Sequence, residues 1–218
     1  MSQEAIMRPG KLILVPAVIT LAVTLLRLVG ELQGWSPLFF NRSAGGGGAL
    51  VGIAWLVPVF GAYFGWKLTR AGSGPGGTGR ALGLTLLALA LVPVLGFLAF
   101  QAGVDQNSFT AFGVFVAGSI AALLIALRAW PALGRTLFSY GLAARIPVAL
   151  VMLAAIFGNW GTHYDVAPPN LPEMSPLAKW FTIGLVPQLT IWIAYTVVVG
   201  ALFGIAAAAV ARRKPAAA

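Results

Sequence analysis

Five side chains in this sequence could do chemistry together: Arg27, Glu31, His163, Asp165 and Glu173. Arg27 and Glu31 are four residues apart, the spacing that puts two side chains on one helical face and permits an ion pair. A charge so close to a long apolar run is a functional-site hypothesis with its partner named. The competing reading has Arg27 snorkelling to the headgroups and pairing with Glu31 to lessen its desolvation. The pair stands at the end of its run, which favours that reading. His163, the single histidine of the chain, and Asp165 flank Tyr164. With Glu31 or Glu173 they could surround a cation. Zinc sites need three or four ligands, chiefly His and Cys, and the chain has one His and no Cys. A carboxylate site for calcium or magnesium lacks a recognisable spacing. No catalytic, cofactor-binding or metal-ligating residue is therefore assigned. His163 is expected on a solvated loop, and the five side chains are kept as a candidate polar cluster at one face.

Other routes to catalysis find little support. Gly118-Ser119-Ile120 lacks the G-x-S-x-G turn that activates a serine. Intramembrane proteolysis by paired acids and proton-coupled transport both call for acids or histidines buried among helices, and no Asp or Glu falls inside an apolar run. The polar side chains within the runs are neutral: Thr20, Thr24, Thr85, Ser119, Thr190, Tyr195 and Thr196, with Gln101 and Gln188 nearer the ends. Such groups bond helices together or line a path for a neutral or lipid-like solute.

The elements that position these residues are set by the solvent the chain requires. It is 59% hydrophobic and 9% charged, with a mean hydropathy of +0.91, whereas soluble domains are roughly 25% charged because they need a wet surface. Its apolar residues run unbroken instead of following a period of 3.6 or 2. A hydrocarbon core about 30 Å thick takes about 20 helical residues to cross. Six stretches qualify: 11–30, 48–66, 81–101, 109–130, 137–160 and 180–210. The fifth begins beyond Arg135, and Arg145 is expected at a membrane interface. The strands of a β-barrel would alternate polar and apolar residues, which ALGLTLLALALVPVLGFLAF does not. The expectation is an all-α polytopic bundle of about six transmembrane helices in a single membrane domain. Its first run is retained, because no small-residue cleavage site follows it.

Charge orients the bundle. Basic residues stay in short cytoplasmic loops. An inside amino terminus puts Arg8, Lys11, Lys67, Arg70, Arg80, Arg128, Arg135, Arg145, Arg212, Arg213 and Lys214 in the cytoplasm, and leaves Arg27, Arg42 and Lys179 outside. That distribution is 11 against 3. Of the acids, Glu31, Asp105, Asp165 and Glu173 fall outside and Glu4 inside. Both termini are thus expected in the cytoplasm, and the protein in a plasma membrane of the bacterial inner-membrane type. The net charge of +9 is spent on orientation, so nucleic acid is excluded as a partner. The partners expected are the lipid bilayer and, beyond it, other membrane subunits or a second copy.

Small residues and prolines pattern the runs. Gly48-x-x-x-Gly52, Gly61-x-x-x-Gly65 and Gly200-x-x-x-Gly204 place glycines one turn apart, where another backbone can approach. Leu-Val-Pro recurs around Pro16, Pro58, Pro93 and Pro187, and Ile146-Pro147-Val148 is related. These prolines are candidate helix kinks. Of the loops, 71–80 is a glycine-rich linker without the Lys-Ser/Thr pair of a phosphate loop. The segment 31–47 is too apolar to be freely solvated and is expected to lie in the membrane interface or fold back over the bundle, with Gly45–Gly48 as a hinge into the second helix.

Three function classes remain. A non-catalytic subunit or accessory of a membrane assembly stands first, on the lack of buried charge, the minimal loops and the glycine faces. A small permease or channel for a neutral or lipid-like solute stands second, and requires a cavity near Pro58, Pro93 and Pro187. A membrane enzyme at the exterior face stands third, and requires Glu31, His163 and Asp165 to converge on one pocket.

Overall fold

The computed structural model describes residues 9–169 and 171–213, so Glu4, Arg8 and Lys214 lie outside the described residues. Among the described residues the fold is helical, with no strand. Helix α1 spans Pro9–Leu32, α2 Leu56–Arg70, α3 Thr78–Gln101, α4 Phe109–Ala129 and α5 Pro131–Gly158. A last run, α6, changes geometry along its length. It is α-helical over Pro176–Lys179, π-helical over Trp180–Leu185, α-helical again over Val186–Leu189, and resumes beyond Thr190 over Ile191–Arg213. Five of the six are long and apolar enough to cross a membrane. Their outward faces carry bare apolar side chains such as Leu14, Leu87, Phe97 and Phe100, as helices solvated by lipid must.

Helix α2 departs from the expected span 48–66. It has 15 residues, about 22 Å of rise, and starts only at Leu56. The glycine run ahead of it takes left-handed backbone at Gly45, Gly46 and Gly48, a conformation glycine adopts without penalty. Gly48 and Gly52 are therefore not a helical packing pair. Pro58 falls in the first turn of α2, where proline costs no hydrogen bond, and is not an internal kink. Pro16, Pro93 and Pro147 do lie inside helices. Pro187 follows the π-helical turn of α6.

Helix α6 is the hub, packing against α2, α3, α4 and α5. Gly61 and Gly65 of α2 face Gly200 and Gly204 of α6 backbone to backbone. A Cβ on Gly61 would stand 2.6 Å from the Gly200 Cα, and one on Gly65 would run into Gly204. Phe64, Leu133, Leu137, Tyr140, Ile193 and Val197 fill the core around this seam. The threonine hydroxyls close mostly on their own helices: Thr24, Thr85, Thr136, Thr190 and Thr196 each donate to the carbonyl four residues earlier. Thr20 does the same to Pro16 and also meets the Tyr140 hydroxyl at 2.7 Å across the α1–α5 contact.

The bundle has a basic end and an acidic end. At the basic end the Trp130 indole N–H donates to the Ser73 carbonyl, and Arg212 donates to the Pro75 carbonyl and the Thr78 hydroxyl. Lys67, Arg70, Arg80, Arg128 and Arg135 sit at the helix termini of this end. The other end carries Glu31, Asp105, Asp165 and Glu173 on loops or helix termini. Arg145 belongs to neither. Helix α5 begins at Pro131, directly after Trp130, and runs 28 residues, so Arg145 falls near its middle.

Candidate functional site

The segment after α5 is built to reach into the bundle. Asn159 closes the helix in the left-handed region, with φ 50 and ψ 54, and Gly161 turns the chain at φ 65. Asp165 then staples the turn. Its Oδ2 accepts the Gly161 N–H at 2.9 Å, and its Oδ1 accepts the Thr162 N–H and hydroxyl at 2.7 Å each. Its three hydrogen bonds all go to the loop and it does not line the cavity, so Asp165 positions its neighbours. Tyr164 is driven inward, its hydroxyl donating to the Thr24 carbonyl of α1 at 3.2 Å. Burial pushes its phenol up from the ordinary value, which keeps it protonated as that donor.

The same turn delivers His163 to Glu31. The His163 N–H donates to Glu31 Oε2 at 2.8 Å, and His163 Nδ1 lies 2.5 Å from Glu31 Oε1. Arg27 Nε donates to that Oε1 at 2.8 Å. Arg27 also grips the loop folded back from α1, donating through Nη2 to the Gly46 carbonyl at 2.8 Å and the Asn41 carbonyl at 3.3 Å. Arg42 bonds the Glu31 and Leu32 carbonyls. Glu31 is 0% exposed and His163 15%, so both corrections are plain: the acid is buried and the histidine is no solvated loop residue. Arg27 is locked to Glu31 and to carbonyls instead of reaching toward headgroups. Glu173 is exposed and bonds to none of the others, so it drops out of the cluster.

Electrostatics fixes the protonation of this triad. Burial holds the His163 imidazole below its ordinary range; Arg27 pushes the same way, while Glu31 pulls back. Glu31 and the nearby Asp165 both favour the charged ring, but burial is the largest influence and, with Arg27, keeps the imidazole on the neutral side. The neutral ring must then carry its proton on Nδ1, because an ionised carboxylate only accepts. Its Nε2 lone pair has no hydrogen-bond partner among the described residues.

A cavity of about 900 Å³ begins beside this triad. Gly45–Ala49, Ser108, His163 and Pro168 line it at the acidic end, and the wall continues down α4, α5 and α6 to Arg145, Gln188 and Trp192. The non-helical stretch Gly52–Ala54 forms part of the wall. Irregular backbone at membrane depth is tolerated where it lines a cavity or is buried in protein, and Tyr195 of α6 donates to the Ala54 carbonyl at 3.4 Å. The permease expectation of a cavity near Pro58, Pro93 and Pro187 is met in part: Pro187 lines the wall, whereas Pro58 and Pro93 do not and only Trp55 and Gly96, three residues from them, do.

Arg145 is the feature that the sequence placed wrongly. It is 4% exposed and lies inside the bundle, not at an interface. Its guanidinium stacks 4.5 Å over the Trp192 ring. Nη1 reaches Gln188 Oε1 at 3.5 Å, while Nε is buried without an acceptor. Gln188 is in turn held by Met152, its amide nitrogen 3.7 Å from the sulfur. One signal could have found this residue: the unbroken helical pattern from Pro131 to Gly158 puts Arg145 midway, whatever its charge suggests. The chain matches no family model, no curated protein and no solved structure, and what the site does must be argued from this geometry.

Proposed function

We propose that this protein is a permease-class membrane protein that takes a lipid-like solute into a chamber reached from the exterior side. The observation that carries the reading is the cavity running from the Glu31–His163 turn to the middle of α5 and α6. Its volume falls in the range of roughly 300–1,000 Å³ typical of small-molecule sites, and its wall has their character, mostly apolar with a few convergent polar groups. The excess of Lys and Arg at the opposite end supports a cytoplasmic basic end and an exterior mouth. The assembly-subunit reading loses two of its three supports. Buried charge is present at Glu31 and Arg145, and Gly61, Gly65, Gly200 and Gly204 are used up within one chain.

Purification of the full chain in a mild non-ionic detergent, followed by native mass spectrometry and solvent extraction, tests the reading. One lipid-like molecule retained per chain is the expected result. A chain that carries none, and that binds no added amphiphile, would overturn it.

A second reading, proton-transfer or hydrolytic chemistry on the bound solute, is favoured by one observation. The Glu31–His163 pair is arranged as a carboxylate-oriented general base, with Nε2 available on a ring that lines the cavity. Under that reading His163→Ala leaves solute retention intact and abolishes turnover. Loss of retention with no turnover at any stage argues against it.

A further inference from the structure

Arg145 poses a charge problem that nothing on the described chain solves. A guanidinium is protonated at any working pH and offers five N–H donors in a planar fork. Here one long contact to Gln188 Oε1 at 3.5 Å is its hydrogen bonding, and the Nε–H is buried with no acceptor. Stacking on Trp192 orients the plane and supplies a cation–π contact, but an indole is not a counter-charge. The described acids are all committed or distant in the fold. Glu31 is held by Arg27 and His163, Asp165 by its own turn, and Asp105 and Glu173 sit on loops at the acidic end. A buried ion without a partner is severely disfavoured, and charges kept at membrane depth mark substrate pathways. The unpartnered cation also borders the cavity, where an incoming anion would find it.

We infer that the counter-ion of Arg145 is the ligand itself: the solute is a single-headed acidic amphiphile whose carboxylate or phosphate group pairs with Arg145 near the middle of the bundle. This rests on the cavity being a solute site and adds the chemistry of the head group. Gln188 turns Oε1 to Arg145 and its amide nitrogen to Met152, so it orients the guanidinium and leaves the remaining donors of the fork for the oxyanion. The apolar wall formed by Phe112, Phe115, Val148 and Ile183 suits the tail. Arg27, the other arginine on the wall, is neutralised by Glu31, so the anion is directed past the mouth to the floor. A neutral solute would leave the Nε–H unpaired, and a cation would be repelled.

The test uses the purified full chain in non-ionic detergent, with palmitate, hexadecyl phosphate and methyl palmitate as probes and displacement of a radiolabelled probe as readout. Wild type is expected to bind one or both acids about 10- to 100-fold more tightly than the ester, the range that a charge-assisted hydrogen bond spans. Preference for palmitate alone identifies a carboxylate solute; preference for hexadecyl phosphate alone identifies a phosphate. In R145Q that preference falls to about one while ester binding persists. Arg145→Met, followed by competition with a labelled ester, repeats the comparison should R145Q not accumulate. Equal binding of acids and ester by wild type overturns the anion assignment and leaves the solute chamber standing. Binding of the ester alone does the same. No binding of any probe overturns both.

Discussion

Replacing Gly61 with alanine drives a methyl group into the backbone of α6. The new Cβ would stand 2.6 Å from the Gly200 Cα, whereas ordinary contact begins at 3.4 Å, so the two helices must part by about 0.8 Å at this level. Neither side yields cheaply. Gly200 is backed by Leu137, which is fully buried, and α2 is held again one turn later by Gly65 against Gly204. Overpacking of this kind costs about 1–3 kcal/mol. Alanine also favours the helix over glycine by up to about 1 kcal/mol, which confuses a single mutant. Gly83→Ala in α3 removes that ambiguity, because a Cβ there meets nothing within 4 Å. Both variants gain the same propensity, and only Gly61→Ala adds the clash. Unfolding by sodium dodecyl sulfate in mixed micelles, followed by circular dichroism, should place Gly61→Ala below Gly83→Ala by about 1–3 kcal/mol. Equal stabilities would refute the claim that α2 and α6 meet backbone to backbone.

Four further outcomes follow from the site. Glu31→Gln leaves Arg27 buried beside a neutral group and should destabilise the fold by about 3–5 kcal/mol, read as a lowered midpoint in the same titration. Asp165→Ala frees the Gly161 and Thr162 N–H groups and should loosen the turn by about 1–3 kcal/mol; faster proteolysis within residues 159–169 reports it. Because His163 is held below its ordinary value of about 6.5, the unfolded chain takes up a proton that the folded ring refuses. Stability should therefore fall as pH drops from about 6.5 and level off below the native value, with no contribution above 6.5. His163→Gln should flatten that arm relative to wild type. Since the chain has no cysteine, Gly76→Cys and Gln106→Cys report the two ends independently: an impermeant thiol reagent added to intact cells should label Gln106→Cys and spare Gly76→Cys.

How much of this was legible in the sequence depended on whether an interaction was local. Unbroken apolar runs state their solvent directly, and the helices α1, α3 and α4 fall close to where they were expected. The Arg27–Glu31 contact is a helical spacing and can be read from four residues. What could not be read is closure over distance. His163 reaches Glu31 across 132 positions, and only the Asp165 staple and the left-handed Asn159 make the turn that brings it there. From sequence alone Arg145 reads as interfacial, because a charge amid apolar residues is costly. That argument assumes lipid on all sides, and a cavity floored by Gln188 and Trp192 removes the assumption. The glycines divided on backbone grounds. Gly61 and Gly65 lie within a helix and can face another, whereas Gly45, Gly46 and Gly48 take positive φ in the loop ahead of it and stay outside the helix.

A chamber open from the acidic end and reaching into the bundle is what the proposed function needs. Single cysteines at Ala54 and Ile183, which line it, and at Leu137, which is fully buried in the core, place that claim under direct test. An impermeant thiol reagent applied outside intact cells should modify Ala54→Cys and Ile183→Cys, and should leave Leu137→Cys untouched. If the two cavity positions are as unreactive as Leu137→Cys, there is no exterior-facing chamber.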